Sequence, residues 1–358
     1  VTLPKDYLRW RLSGEYASDP SDACSTLLLE ARTRTWSPEL LQLLGIDPKV
    51  LPSVQPSISV AGGLQPGAAD ELVLPPGIPV ITGAGDTASS VLGAGVTQPD
   101  TLLLNISTGG QLVQPVFDLQ LDRAGRIHTF CTALEPKQGQ AGWYKMGGIL
   151  AAGLALHWLR DNLFALNEMD AYQRMTAWAE DVPLGADGLL FLPHLVGERT
   201  PYMNPNARGM FLGLTLRHGQ PHLVRAVMEG VALNTGWALQ AVRSFLAGYT
   251  VEEITVIGGG GSSGTWCQIL ADVMNVSIRQ PEFPIESNVL GSAFIAAVGL
   301  GELDFGDLPG LVRHRNVYRP DPNNRGVYEA LAGHFNDAYK TLAPFYRRLS
   351  TNNGESRT

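Results

Sequence analysis

Basic charge is scarce in this sequence: 26 Lys and Arg stand against 34 Asp and Glu, a formal charge of −8 at neutral pH. So acidic a chain offers no broad footprint for a phosphate backbone, and nucleic acid is not an expected partner. Cysteine is sparse too, with only Cys24, Cys131 and Cys267. An odd, dispersed set suits reduced thiols in a cytoplasmic setting and argues against a disulfide framework. Long apolar runs are also missing. No window approaches the roughly 18 uncharged apolar residues that span a bilayer, and the opening VTLPKDYLRWRLSGE is charged where an export signal is apolar, so no membrane partner is expected. The chain opens on Val1 and runs at once into patterned helical sequence, from which we expect a segment to be missing in front.

What is present is a globular composition, 44% hydrophobic and 17% charged, over 358 residues. That length exceeds the roughly 250–300 residues of a single core, so more than one domain is expected. Residues 5–15 and 37–44 read as helices, the second with Ser37 as N-cap and Pro38 at the first helical position. A connector rich in Pro and Gly follows over 52–79, then Ile78-Pro79-Val80-Ile81 as a short buried strand, with a domain boundary near residue 80. Beyond it, strands at 102–106, 112–116 and 252–257 alternate with helices at 148–163, 221–246, 263–275 and 287–301. This alternation predicts an α/β fold, and the Ala and Gly content of 287–301 calls for a close helix neighbour. The tail from residue 350 is polar and reads as frayed.

Glycine is abundant, 40 residues or about 11% of the chain against roughly 7% in an average protein. Three clusters join a strand exit to glycines and a polar group: Gly83-Ala84-Gly85-Asp86-Thr87, Asn105-Ile106-Ser107-Thr108-Gly109-Gly110, and Gly258 through Gly264. Glycine lets main chain approach a phosphate, and the free N–H groups of a helix start attract anions. The P-loop pattern is absent, since none of the five lysines follows a glycine. A dinucleotide fingerprint fits twice, at Gly83-x-Gly85-x-x-Ala88 and Gly259-x-Gly261-x-x-Gly264. Against it, Asp86 stands where a pyrophosphate would sit, and no acidic residue ends a second strand about twenty residues beyond Gly83. Position alone allows Asp86 to be a helix N-cap. Beside a hydroxyl-bearing glycine loop at Thr108, the same carboxylate suits a base for phosphoryl transfer.

Taken together, these segments resemble the FGGY carbohydrate kinases. The resemblance rests on LPKDYLRWRLSGEYASDPSDA, PVITGAGDTA, NISTGG, FLPHLVGERTPYMNPNARGMFLGL, HLVRAVMEGVA, TVIGGGGSSGTWCQILADV and NVLGSAFIAAVGLG, which together cover nearly the whole chain. Gly209 to Leu214, followed after seven residues by His222 to Glu229, satisfies the family's second signature at each defined position. Within the family, the members acting on xylulose are the nearest likeness.

The resemblance implies a ribonuclease-H-like fold of the actin and hexokinase type, with ATP and Mg²⁺ as cofactors and a small-molecule sugar as substrate. It divides the chain into the end of a sugar-binding N-terminal domain (1–82), a complete ATP-binding domain (83–347) and a polar tail (348–358). Asp86 becomes the catalytic base and, with Thr87, a sugar contact. Thr108, Gly109 and Gly110 become the γ-phosphate loop. Gly153, His157, Gly259, Gly260 and Gly264 fall on the adenosine half, although a packed helix position explains His157 equally well. The expected reaction of the full-length form is D-xylulose to D-xylulose 5-phosphate. The alternatives are a family member acting on ribulose, gluconate, glycerol or another polyol, and an inactive remnant serving as an interaction module. A homodimer is left open. Thr87 departs from the Asn or Gln usual after the base, and Ser107-Thr108-Gly109-Gly110 from G-T-S-G. Asp22, Glu198, Arg199 and Glu229 are recurrent family positions for which capping or internal ion pairing is expected. The family's opening D-x-G-T strand is absent from the sequence.

Overall fold

The computed structural model describes residues 2–137, 139–244 and 249–352. The first segment is helix-rich, as expected, and its helices Pro4–Ser13, Pro20–Ala23, Pro38–Leu44 and Pro66–Leu72 all begin on proline, which has no N–H to leave unpaired at a helix start. Ser37 caps the third by accepting from the Leu40 N–H at 3.3 Å. The strand expected to be buried near residue 80 proves to be half-exposed: Pro79–Ile81 pairs antiparallel with Val60–Gly63 in a separate two-stranded sheet. Proline cannot donate to a ladder on both sides, so this short run sits where it needs only one partner.

A seven-stranded sheet carries the rest. Helix α1 (Asp86–Gly93) leads into β1 (Thr101–Ile106), β2 (Gly110–Val116), β3 (His128–Cys131) and β4 (Trp143–Ile149). Helices α2 (Gly153–Trp158), α3 (Ala171–Glu180) and α4 (Gln220–Arg243) follow, then β5 (Glu253–Ile257), α5 (Gly264–Met274), β6 (Ser277–Pro281), α6 (Ser287–Gly299), β7 (His314–Tyr318) and α7 (Arg325–Asn352). The spatial order is β7-β6-β5-β1-β2-β4-β3. Strands β1, β5 and β6 are parallel, while β2, β3, β4 and β7 pair antiparallel with their neighbours.

The helix expected over 148–163 begins only at Gly153. Gly148 and Ile149 instead close β4, pairing with Gln111 and Gly110 of β2. Tertiary pairing overrides the local helical text here. Of the polar tail, 348–352 continues α7 and the remainder lies outside the described residues.

Alternation along β1 divides the core. Leu102, Leu104 and Ile106 enter the cluster shared with α3, α4 and α5, whereas Leu103 joins α1 and α6 on the opposite face. On that second face α1 and α6 nearly touch: a Cβ on Gly291 would lie 1.7 Å from the Ser89 carbonyl oxygen, and one on Gly93 would lie 1.8 Å from that of Ser287. The close neighbour expected for the Ala- and Gly-rich helix is therefore α1, the helix that begins at Asp86.

Candidate active site

At the ends of the parallel strands β1 and β5 opens a cavity of about 780 Å³. Thr108, Gly153, His157, Gly259, Gly260 and Gly264 all line it, although they come from three separate stretches of chain. Main chain builds the first wall. The hairpin after β1 is fastened to the start of α2 by the N–H groups of Ala152 and Leu154, which donate to the Thr108 carbonyl at 3.1 and 2.9 Å, and by that of Gly153, which donates to Ser107 at 2.8 Å. A side chain at 153 is excluded, since its Cβ would lie 2.3 Å from the Ser107 oxygen. Gly109 and Gly110 are not on the cavity wall. Their Cβ positions would fall 2.9 Å from the Ile149 oxygen and 2.5 Å from Ile149 Cγ1, so both serve the close approach of β4.

Four glycines turn the chain out of β5 as a short helix, Gly258–Gly261. Gly258 has φ +76°, and Cβ atoms at 260 and 261 would lie 2.5 Å from Ile106 Cγ2 and from the Val256 oxygen. Gly259 alone of the four has no atom within 4 Å of its Cβ position: it faces open space on the cavity wall. Ser263 then caps α5, accepting from the Trp266 N–H at 3.2 Å. His157 is half exposed and pairs with Asp161 at 2.5 Å, so it is no packed core residue.

Sequence reasoning missed the opposite wall. Helix α3 buries Ala171, Met175 and Ala179 and turns Tyr172, Thr176 and Glu180 to the cavity, each set at a spacing of four. That two-faced spacing was the available signal. Thr265 on α5 donates to Glu180 across the rim.

Asp86 and Thr87 do not line this cavity. Asp86 is exposed at the first position of α1, where Gly85 is the N-cap, so the alternative reading of Asp86 as the cap does not hold. The Thr87 N–H and hydroxyl both donate to Asp86 Oδ1, at 2.5 and 3.2 Å. Asn288 of α6 donates to the Asp86 carbonyl at 2.9 Å, three residues beyond Ile285 on the cavity rim. Beneath the turn, buried Asp19 accepts from the Ser21 N–H and hydroxyl at 2.9 and 2.5 Å and from the Ser57 hydroxyl at 2.8 Å. Ser21 Oγ in turn accepts from the Gly85 N–H at 2.9 Å. Lys5 bridges Asp6 and Asp19 at 2.7 and 3.0 Å. The cap expected of Asp22 is supplied by Asp19, and burial pushes the Asp22 carboxyl up to about 6, with Lys5 opposing and Asp19, Asp6 and Asp86 adding to the rise.

Glu229 forms the expected internal pair with Arg225, at 2.8 Å. Glu198 is buried and accepts from the Leu150 and Arg199 N–H groups and from the Asn234 amide, at 3.0, 2.8 and 2.6 Å. Arg199 itself is exposed.

Read in the order β4-β2-β1-β5-β6, the sheet is three antiparallel strands followed by two parallel ones, with a cavity at the strand ends. This defines an actin- or hexokinase-like fold. The chain matches the N-terminal domain of the FGGY family of carbohydrate kinases over residues 1–93 and the C-terminal domain over residues 120–300. It is 31% identical to a xylulose kinase of Bacillus subtilis (98% of this chain, 67% of that protein) and 32% identical to a gluconokinase of the same organism (97% and 65%). The ligand-bound crystal structure of xylulose kinase from Lactobacillus acidophilus superposes with a TM-score of 0.85 at 28% identity, over 97% of this chain and 68% of that one. The chain belongs to the FGGY family of carbohydrate kinases, and it spans about two thirds of the length of the curated relatives it matches. Among the described residues no helix is long and apolar enough to cross a membrane.

Proposed function

We propose that this chain carries the nucleotide half of a cytoplasmic sugar kinase that transfers the γ-phosphoryl group of ATP to a hydroxyl of D-xylulose. The observation that carries the reading is the convergence of Thr108, Gly153, His157, Gly259, Gly260 and Gly264 on one cavity. In this reading residues 1–82 are the end of the sugar-binding domain and 83–347 the ATP-binding domain. The Thr108 hairpin receives the terminal phosphate, while the Gly259 turn and the rim formed by Met169, Tyr172 and Ile285 receive the nucleoside. Asp86 at the start of α1 takes the proton from the sugar hydroxyl, and Thr87 orients its carboxylate. Positioning and charge placement supply most of the catalysis in such a transfer.

For Mg²⁺, the described residues contain no group of three His, Cys, Asp or Glu able to hold a metal. Mg²⁺ keeps much of its water and binds through substrate phosphates with one or two carboxylates, so it fits here as the nucleotide's own ion. It would neutralise phosphate charge.

The test is Asp86→Asn with Thr108→Val in a protein that also contains the family's opening strand. Asp86→Asn is expected to abolish transfer with nucleotide affinity kept, and Thr108→Val to raise the KM for ATP or lower kcat. Turnover retained in Asp86→Asn would overturn the role of Asp86. The gluconokinase likeness supports a second reading, a sugar-acid substrate, and a panel of xylulose, ribulose, gluconate and glycerol separates the two.

A further inference from the structure

Cys24, Cys131 and Cys267 are all buried free thiols, and two of them meet. Cys24 begins the turn Cys24–Thr26 directly after helix Pro20–Ala23, and Cys131 ends β3. Although 107 positions separate them, the Cys131 N–H donates to Cys24 Sγ at 3.4 Å, while the Cys24 thiol itself donates to the Ser21 carbonyl at 3.3 Å. The Ala31 carbonyl fixes the site from the side, accepting from Cys131 Sγ at 3.6 Å and from the Trp143 indole at 2.8 Å.

We propose that Cys24 and Cys131 form a redox modification site that closes to a disulfide when the protein meets a hydroperoxide. The pairing is unequal, as such a reaction requires. The neighbouring Cys131 thiol pushes the Cys24 thiol up, and burial adds to this. The neighbouring Cys24 thiol holds the Cys131 thiol below its usual range, opposed by burial and helped by the nearby Arg34 guanidinium. A thiolate is the attacking species, and of the two buried thiols Cys131 is the one held lower, so in the proposed reaction it makes the first attack once the oxidant reaches the pair. Its sulfur bonds to one peroxide oxygen as the O–O bond breaks and hydroxide or alkoxide leaves, giving a sulfenic acid. Cys24 sulfur then displaces that oxygen: the S–S bond forms, the S–O bond breaks, and water departs with the Cys24 proton. The two sulfurs together lose the two electrons that the peroxide gains.

The product staples the Pro20–Thr26 region to β3, joining the stretches that match the family's N-terminal and C-terminal domains. Ser21, which accepts from the Gly85 N–H at 2.9 Å, lies within the stapled region, one residue from Asp86 through Gly85.

The experiment treats the folded full chain with hydrogen peroxide, removes the oxidant, unfolds the chain in guanidinium to block the remaining thiols with N-ethylmaleimide, and maps peptides without reduction. The expected result is a Cys24–Cys131 linked peptide, loss of two of the three blockable thiols, Cys267 still blocked, and a raised thermal midpoint that dithiothreitol restores. Cys267, whose thiol burial pushes up to about 12, is the internal control. Cys24→Ser and Cys131→Ser should each abolish the linkage, with Cys131 of Cys24→Ser advancing to sulfinic acid. The proposal fails if both thiols stay free under oxidant that links them in the unfolded chain, or if the linkage found involves Cys267.

Discussion

The Thr108 hairpin is held by main chain and the Asp86 turn by side chains. At the hairpin, three consecutive N–H groups from 152 to 154 hold two carbonyls, and glycines allow β4 and α2 to approach. Nothing there titrates, and any damage comes from adding atoms. At the Asp86 turn the support is a buried carboxylate, Asp19, which gathers Ser21, Ser57 and Lys5 and passes one hydrogen bond on to Gly85. Damage there comes from removing charge, and pH acts through the neighbouring Asp22 carboxyl. In the proposed roles, a loop that must stay fixed around a polyanion is best built from groups without net charge, and a turn that carries a base can draw on a charged platform, at the cost of sensitivity to proton concentration.

Substitutions can break this contrast. Asp19→Ala should have the largest effect, about 3–5 kcal/mol of unfolding free energy in urea titrations, because Lys5 loses a buried partner and two hydroxyls lose their acceptor. Next is Gly260→Ala, whose Cβ would lie 2.5 Å from Ile106 Cγ2, with an expected loss of about 1–3 kcal/mol by the same method. Ser21→Ala removes the acceptor of the Gly85 N–H and one of the hydroxyl donors to Asp19, leaves the Asp19 charge in place, and should cost about 1 kcal/mol. It should lower kcat in an active form more than it raises the KM for ATP, since it acts beside Asp86 and away from the cavity.

The smallest effect sharpens the contrast by pH. With the Asp22 carboxyl raised from 3.8 to about 6, the folded state binds this proton more tightly than the unfolded chain. The stability so gained is full below pH 3.8 and is lost as pH rises through 6. Asp22→Asn should therefore raise the thermal midpoint at pH 8 relative to wild type and show a smaller gain at pH 4. An equal gain at both values would contradict the raised carboxyl.

Much of the scaffold was legible because local signals agreed with tertiary need. Leu102 to Leu104 form an apolar run buried on both faces, Pro221 stands in the first turn of the long helix α4, and Ser37 caps the helix that Pro38 opens. Strand β4 was hidden because WYKMGGI has two glycines, and only pairing with β2 and β3 makes it a strand. The roles of the glycines were also hidden: Gly258, Gly260 and Gly261 look identical to Gly259 in sequence, yet three answer to packing and one to open space. Asp19 and Ser21 escaped notice because the bond to Gly85 spans 64 positions, a contact that periodicity and spacing do not encode.

The central claim is that the cavity at the ends of β1 and β5 is the nucleotide site. Gly259→Leu tests it most directly, because a Cβ at 259 has no atom within 4 Å beyond the turn's own backbone and the residue lies on the cavity wall. Titration calorimetry with ATP and Mg²⁺ on wild type and Gly259→Leu should show binding that is lost in the variant while the thermal midpoint is unchanged. Equal ATP binding by a folded Gly259→Leu protein would contradict the assignment.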